Sequence, residues 1–479
     1  MLAGRILRVS AAATLLVAAT AMSAQAGAAA GPKWGPAPIY GAPGAGDSYY
    51  PEAGNGGYQV DHYDVSLSYD PVSHQLQGTT RITATATAAL KGFNLDLLGY
   101  TVDSVRVNAS NSSFSRQSVH ELVIRQSAVL GKGQRFTVEV RYHGIPDPSG
   151  AWIYSPSGGA FAVGEPEAAS SWFPVNETTR DKATFAVHAT VPTGWDVVSN
   201  GIASASTSAH GQTTFNWREN TPITGYLTTI VIDHLSYLKQ QRSNGMPLLS
   251  AFAPGTGANV AAEKQLPAIL DFEESLFGRY PIDTGGGVYE SGPYTAALET
   301  QGRSLYMIEQ GSAAVASARN IAHENAHQWW GDSVSLQNWS DICLNECIAA
   351  YAEDLWSAHA DGLDLDNQYR NTVQANLGNP EFWDGVLRNG GPDSAMFNVV
   401  YTRGPLFMQA LRHQVGDRAF FRTLKTFPAL HRNSTATLDQ FIELMQGYSQ
   451  QDLTAFVHAW LDSTTVPAAQ YLWPGTLHP

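Results

Sequence analysis

The residues with the clearest chemical potential form the run H-E-N-A-H, from His323 to His327. Its two histidines are four residues apart, so on a helix both imidazoles lie on one face and can bind one metal ion. Glu324 lies about 100° round the helix from His323, which places a carboxylate beside the metal. A carboxylate there can take a proton from metal-bound water and act as a general base. The run therefore predicts metal-assisted hydrolysis.

A third ligand is predicted at Glu346, in the run L-N-E, with 18 residues between His327 and this glutamate. Two histidines and one glutamate can hold a zinc ion and leave its fourth tetrahedral position open, as a catalytic zinc site requires. The alternative interpretation is structural: two core histidines and a surface glutamate. The spacing of all three residues favours one catalytic zinc ion per chain.

The region from His323 to Glu353 resembles the metal-binding region of the aminopeptidase N and leukotriene hydrolase family of zinc metallopeptidases, which are of the gluzincin type. That family has H-E-x-x-H-x-W followed by L-N-E-G, and this chain has H-E-N-A-H-Q-W followed by L-N-E-C. Three further segments are similar to family motifs: G-E-P-E at 164–167, A-A-L-E-T at 296–300 and Y-T-R-G at 401–404. The resemblance extends over residues 58 to 465.

The resemblance implies a role for each matching residue. His323, His327 and Glu346 are the implied zinc ligands. Glu324 is the implied general base, which then returns the proton as a general acid.

Outside the metal ligands, the resemblance implies three more site residues. Tyr401, in the Y-T-R-G motif, is expected to stabilise the tetrahedral oxyanion. Glu299, in the loop that resembles the G-A-M-E-N exopeptidase motif, is expected to bind the free α-amine of the substrate. Glu165 is expected to assist it. The implied substrates are peptides with a free N-terminus.

The predicted function is that of a secreted zinc aminopeptidase, which hydrolyses the N-terminal peptide bond through zinc-activated water. Two alternatives stay open: a zinc endopeptidase with an open cleft, and a catalytically silent zinc-binding homologue. The second is raised by departures from the family pattern. Asn325 replaces an aliphatic residue, Cys347 replaces a glycine, and the exopeptidase loop lacks its first glycine, its methionine and its last asparagine.

Cys343 and Cys347 lie four residues apart on a predicted helix and flank Glu346. Helical neighbours at that spacing have Cβ atoms about 5–6 Å apart, whereas a disulfide requires about 3.5–4.5 Å. We therefore expect two reduced thiols that pack as small apolar side chains and do not bind zinc.

The chain of 479 residues carries a formal net charge of −14, which argues against nucleic acid as a partner because such binding requires basic patches. No apolar stretch reaches the roughly 20 residues of a membrane span. Residues 1–26 have the pattern of a signal peptide, with a basic start, a short apolar run and A-Q-A before Gly27. This pattern predicts export to the extracellular space. The sequence does not indicate an oligomeric state.

Composition and side-chain periodicity divide the chain into four segments. After the signal peptide, residues 27–57 are rich in glycine, alanine and proline and predict a flexible leader. Residues 58–240 alternate with period two and predict an antiparallel β domain. Residues 241–479 are mainly helical, and the resemblance implies a thermolysin-like catalytic domain. The predicted fold class is thus α+β and multidomain.

Within the catalytic domain, a helix is expected over Ala313–Trp330 with Ser312 as its N-cap, and Ser340 is expected to cap the next helix. Thr437 and Gln440 predict a capping box. The chain ends soon after Trp460, so the resemblance implies a short form without the large C-terminal helical domain of the family.

Overall fold

The computed structural model describes residues 37–147, 150–312 and 316–479, so the predicted signal peptide at 1–26 lies outside the described residues. The N-terminal half is built from β-strands. They are β1 (Ile39–Tyr40), β2 (Tyr58–Asp70), β3 (Gln75–Ala86), β4 (Leu90–Asp96), β5 (Thr101–Val107), β6 (Ser110–Asn111), β7 (Ser113–Arg116), β8 (Glu121–Leu130), β9 (Arg135–Gly144), β10 (Trp152–Tyr154), β11 (Ala160–Ala162), β12 (Ala183–Pro192), β13 (Asp196–Ser199), β14 (Ile202–Ala209), β15 (Gln212–Ile223) and β16 (Ile230–Asp233).

These strands form three sheets. The largest has the order β14-β15-β12-β2-β3-β9-β5-β6, and two four-stranded sheets have the orders β1-β4-β8-β7 and β10-β11-β16-β13. In β2 the side chains of Tyr63, Val65, Leu67 and Tyr69 are all buried, as the period-two pattern predicts. Most neighbours are antiparallel, but β2 runs parallel to β12 and β1 runs parallel to β4.

The C-terminal half is mainly helical. Its strands are β17 (Ser236–Gln241), β18 (Pro247–Phe252), β19 (Gly287–Gly292), β20 (Ala296–Leu298), β21 (Ser304–Glu309), β22 (Val334–Leu336) and β23 (Ser434–Ala436). Its helices are α1 (Val260–Glu263), α2 (Leu266–Phe277), α3 (Ala318–Ala326), α4 (Cys343–Asp361), α5 (Leu365–Asn376), α6 (Pro380–Trp383), α7 (Ser394–Phe397), α8 (Val400–Val415), α9 (Asp417–Leu430), α10 (Leu438–Ser449), α11 (Thr454–Val457) and α12 (Ala469–Leu472).

A five-stranded sheet of order β17-β18-β19-β21-β20 begins this half. Helix α4 packs against both α3 and α8, so these three helices bring the predicted metal ligands and the Y-T-R-G motif together. The fold is the predicted α+β arrangement of a β domain followed by a mainly helical domain. Across the described ranges, no helix is both long enough and apolar enough to span a membrane.

The prediction of a flexible leader is wrong for residues 38–57. Strand β1 pairs with β4, and the ring of Tyr50 is only 6% exposed. The carboxylate of Asp47 accepts a hydrogen bond from the backbone N–H of Trp339 at 2.8 Å, which connects this segment to the helical half. Glycine and proline content predicted flexibility, but Asp47 and Tyr50 supply long-range contacts that composition does not reveal.

Two predicted helix starts also need correction. Helix α3 begins at Ala318, because Ser317 and Asn320 form a reciprocal capping box at this position. Helix α4 begins at Cys343, after a 3₁₀ turn at Trp339–Asp341, and has no side-chain cap. The capping box of Thr437 and Gln440 is confirmed at the start of α10.

Candidate metal centre

Helices α3 and α4 together present a cluster of three metal-binding side chains. His323 lies in the last turn of α3, His327 is the residue that ends this helix, and Glu346 lies in the first turn of α4. Their ligand atoms all lie within 4.8 Å of one another. The Nε2 atoms of His323 and His327 lie 3.3 Å and 3.5 Å from the Oε2 atom of Glu346.

Each histidine is oriented by a hydrogen bond at its other ring nitrogen. The Nδ1 atom of His323 lies 2.9 Å from the Oε1 atom of Glu353, and the Nδ1 atom of His327 lies 2.9 Å from the carbonyl oxygen of Trp330. Such contacts fix the tautomer and leave both Nε2 atoms free to bind a metal. Glu353 was not predicted as a site residue, although its position seven residues after Glu346 places it two turns along the same helix.

The cluster fits a zinc ion. The Oε2 atom of Glu346 is buried and has no hydrogen-bond partner, although both histidine Nε2 atoms are close to it. Two imidazoles and one carboxylate are the protein ligands of a common class of catalytic zinc site. Zinc would be held by His323, His327 and Glu346.

The electrostatic field of the cluster favours positive charge. Burial acts to lower the pKa of His327, but the negative charges of Glu346 and Glu299 outweigh it and raise this pKa to about 10. Burial acts to raise the pKa of Glu346, and the two histidines outweigh it, so this pKa is lowered. A divalent cation held by His323, His327 and Glu346 would supply positive charge at this cluster.

Glu324 lies beside the ligands without belonging to their set. Glu324 is 7% exposed. One carboxylate oxygen of Glu324, one carboxylate oxygen of Glu299 and one ring nitrogen of His327 all lie within 4.8 Å of one another. Burial is the main cause that raises the pKa of Glu324 to about 7, with the two histidines acting in the opposite direction. This carboxylate is in the right place to exchange a proton next to the metal.

Glu299 follows strand β20 and is 2% exposed. The hydroxyl of Tyr226, a residue that was not predicted to belong to the site, donates a hydrogen bond to the Oε1 atom of Glu299 at 3.2 Å. The nearby Glu165 has a buried Oε1 atom without a hydrogen-bond partner. Its pKa is raised by burial and by the negative charges of Glu299 and Glu346. Two acidic groups therefore meet at one end of the site.

A cavity of about 280 Å³ adjoins this acidic end. Its lining includes Glu165 and the first three residues of the loop that resembles the exopeptidase motif. Most of its remaining lining is apolar, with Ile153, Val163, Leu305, Met307 and Tyr294.

Tyr401 approaches the centre from the first turn of α8. Its ring centroid lies 5.9 Å from that of His323 and stacks on Phe397 at 6.3 Å. The side chain is 49% exposed, so it borders an accessible part of the site. The Y-T-R-G motif continues with Arg403, whose buried guanidinium donates to the backbone carbonyls of Trp383 and Gly385.

The prediction of free thiols is wrong, because Cys343 and Cys347 form a disulfide with their Cα atoms 4.7 Å apart. The prediction assumed regular helix geometry on both sides of Glu346. The Cα separation of 4.7 Å is shorter than the rise of about 6 Å that four residues of a regular α-helix give, and Cys343 is the first residue of α4. A Cβ atom on Gly404 would lie 2.8 Å from the Sγ atom of Cys347, so the glycine of the Y-T-R-G motif allows α8 to approach this disulfide.

The departure at Asn325 has a simple structural account. Its side chain is buried, and its Nδ2 atom donates to the carbonyl oxygen of Ile321 at 2.8 Å. The polar amide is thus paired within α3 and does not enter the zinc cluster.

Comparisons with known proteins agree with this arrangement. Residues 59–227 match the model of the peptidase M1 N-terminal domain, and residues 303–460 match the model of the peptidase family M1 domain. The chain is 22% identical over 454 residues to aminopeptidase N of Lactobacillus helveticus, and 25% identical over 447 residues to aminopeptidase N of Lactococcus lactis subsp. cremoris. These matches cover 86% and 85% of this chain and 51% of each relative, so the chain spans about half the length of these curated relatives.

Solved structures are similar over nearly the whole chain. An M1 zinc metallopeptidase from Deinococcus radiodurans superposes with a TM-score of 0.80 at 25% identity, covering 91% of this chain and all of that one. A glutamate-to-alanine mutant of the same protein, bound to a Tyr-Ser-Ala substrate, gives a TM-score of 0.78 at 25% identity and covers 89% of this chain and 99% of that one. The likeness therefore includes both the β domain and the helical domain.

Proposed function

Because this chain belongs to peptidase family M1 and has the zinc site of its metallopeptidases, we propose that it is an aminopeptidase acting on peptides with a free N-terminus. The observation that carries the proposal is the buried carboxylate of Glu299, beside Glu324 and His327. A buried carboxylate is costly unless a cation pairs with it. The protonated α-amine of a peptide supplies such a cation next to the reacting bond.

The hydrolytic step depends on Glu324. A zinc ion held by His323, His327 and Glu346 would lower the pKa of a bound water to about 7 and would polarise the substrate carbonyl. Glu324 takes a proton from the attacking water as the general base. It then delivers this proton to the leaving amine, so one side chain acts as base and acid in turn.

Tyr401 is assigned to stabilise the carbonyl oxygen of the scissile peptide bond. Negative charge develops on this oxygen as the tetrahedral intermediate forms, and a hydroxyl donor stabilises the charge. The phenol lies on the accessible side of His323, where the scissile carbonyl would enter. Although the Tyr401 side chain is half exposed, desolvation of the phenol and the nearby negative charges of Glu346 and Glu165 raise the pKa of Tyr401, so the hydroxyl stays protonated and can donate a hydrogen bond.

Recognition of the substrate amine is assigned to Glu299, with assistance from Glu165. Mutants of two-domain M1 zinc metallopeptidase have been solved with L-arginine and with L-tryptophan, which both carry a free α-amine, and this supports a substrate with a free N-terminus. The cavity beside Glu165, which Ile153, Val163, Leu305 and Met307 help to line, would take the first side chain of the peptide. We expect these apolar side chains to favour an apolar N-terminal residue.

A pair of chromogenic substrates tests the proposal. The zinc-loaded protein should hydrolyse leucine p-nitroanilide and should leave N-acetyl-leucine p-nitroanilide at background, because acetylation removes the cation. Equal rates on both substrates would favour an endopeptidase. A folded, zinc-loaded protein that turns over neither substrate, nor a free peptide, would favour a silent homologue.

Two variants separate catalysis from zinc binding. Glu324→Gln should retain zinc and lose activity by at least about 10²–10⁴-fold, the usual contribution of general acid–base catalysis. Glu346→Ala should lose zinc after dialysis, because two histidines alone hold the ion weakly. Near-normal turnover by the first variant, or stoichiometric zinc in the second, would contradict these roles.

We also propose that the protein is exported. The support is the signal-peptide pattern at residues 1–26 together with the disulfide between Cys343 and Cys347, since disulfides persist mainly in oxidising compartments. N-terminal sequencing of the protein recovered from the culture medium should begin at Gly27. Retention of the uncleaved chain inside the producing cell would contradict export.

A further inference from the structure

A second pair of buried acids lies in the N-terminal domain, in the sheet that contains β4 and β8. Asp96 is the last residue of β4 and Glu121 is the first residue of β8, and the two are direct cross-strand partners. They are 1% and 4% exposed. Like charges directly opposite each other destabilise a sheet, and a buried charge is costly unless it is paired. When both acids are ionised, this pair therefore needs a positively charged partner.

Hydrogen bonds within the protein satisfy only some of the oxygen atoms of these two acids. The Oδ2 atom of Asp96 accepts hydrogen bonds from the Nδ2 atom of Asn55 at 3.0 Å and from the backbone N–H of Glu177 at 2.9 Å. The Oδ1 atom of Asp96 and the Oε1 atom of Glu121 are buried and have no hydrogen-bond partner. Over the described ranges, neither carboxylate forms an ion pair with a basic side chain.

His120 completes a set of metal-binding groups. It precedes Glu121, and one ligand atom from each of Asp96, His120 and Glu121 lies within 4.8 Å of the other two. Asp96 and His120 also line a cavity of about 420 Å³, which leaves room for water ligands. Glu167 and Glu177 line the same cavity and add negative charge to it.

We propose that Asp96, His120 and Glu121 bind a divalent transition-metal ion, in addition to the zinc ion of the helical domain. Carboxylate oxygen and imidazole nitrogen together suit ions such as Zn²⁺ or Mn²⁺, whereas Ca²⁺ and Mg²⁺ prefer oxygen ligands alone. The ion would cancel the repulsion between the ends of β4 and β8. Through Asp96 and Asn55 it would also stabilise the segment that precedes β2.

Zinc stoichiometry tests this site independently of catalysis. Purified protein is equilibrated by dialysis at a fixed free Zn²⁺ concentration, and zinc per chain is measured by mass spectrometry. We expect about two zinc ions in the wild type, about one in Glu121→Gln, about one in His323→Ala, and none in the double variant. About one zinc ion in the wild type would overturn the proposal.

The choice of variants keeps the result interpretable. Glu121→Gln keeps the shape of the side chain and removes one charge, so it relieves the repulsion with Asp96 and should fold. If it does not, His120→Ala provides the same test, since this half-buried side chain lies outside the apolar core. In the His323→Ala background, added Zn²⁺ should raise the melting temperature, and Glu121→Gln should abolish that rise. A second zinc ion that persists in both variants would show surface binding and refute the site.

Discussion

Glu353 contacts His323 but does not bind the metal, and its replacement by alanine tests how the zinc site is held together. The carboxylate accepts from the Nδ1 atom of His323 at 2.9 Å and also pairs with the guanidinium of Arg319 at 3.3 Å. Without this contact the imidazole can rotate or adopt the tautomer with a proton on Nε2. We therefore expect Glu353→Ala to weaken zinc binding while all three ligands remain.

The expected size of the effect follows from this one hydrogen bond. A hydrogen bond to a charged group contributes about 1.5–3 kcal/mol, and about 1.4 kcal/mol corresponds to a tenfold change in affinity. The zinc dissociation constant should therefore rise about 10- to 100-fold, the usual cost of removing such an outer partner. At saturating zinc, kcat should change much less, because Glu324 and Tyr401 are unaltered.

Asp354→Asn provides the matched control. Asp354 is the next residue on α4 and accepts from the same Arg319 at 2.9 Å, but no hydrogen bond connects it to His323. Competition with a chromogenic zinc chelator gives the dissociation constant of each variant. If Glu353→Ala binds zinc as tightly as the wild type, or if Asp354→Asn weakens it equally, orientation of His323 by Glu353 is refuted.

Three further predictions concern the same region. Tyr401→Phe should lower kcat by about 10²–10³-fold, equivalent to about 2.7–4 kcal/mol for one oxyanion donor, with a smaller change in KM; an effect on KM alone in steady-state kinetics would contradict this role. Glu299→Ala should reduce the ratio of kcat/KM for free over acetylated substrate, because the charge partner of the amine is removed; an unchanged ratio would exclude Glu299 from amine binding. Thiol titration of the unfolded, unreduced protein should find no free thiol from Cys343 or Cys347, and two thiols per chain would show that the disulfide does not form.

The zinc ligands could be predicted because local geometry encodes most of the site. His323 and His327 share a helical face at a spacing of four residues, and that relation holds wherever the helix packs. Glu346 was predicted from its spacing after His327, and the structure shows that this residue of α4 lies with the two histidines, with the ligand atoms of all three residues within 4.8 Å of one another. The roles assigned to Glu165, Glu299, Glu324 and Tyr401 stay predictions, which the variants described above can test.

Predictions that relied on composition or on ideal helix geometry were less successful. The glycine- and proline-rich segment before β2 is ordered through Asp47 and Tyr50, whose partners lie far away in the sequence. Cys343 and Cys347 form a disulfide in the first turns of α4, where regular helix spacing predicted two free thiols. Both errors have the same cause. Residue composition and ideal helix geometry do not reveal a specific distant contact or a local departure from regular geometry.

The sequence alone determined the metal-binding chemistry and the succession of a β domain and a helical domain, because ligand type and side-chain periodicity are local properties. Only the tertiary structure decided which distant groups meet. Glu353 reaches His323 because α3 packs on α4, and Asp96 faces Glu121 because the end of β4 pairs with the start of β8. Periodicity states which face of an element is buried, but the partner of that face depends on the packing of the whole chain.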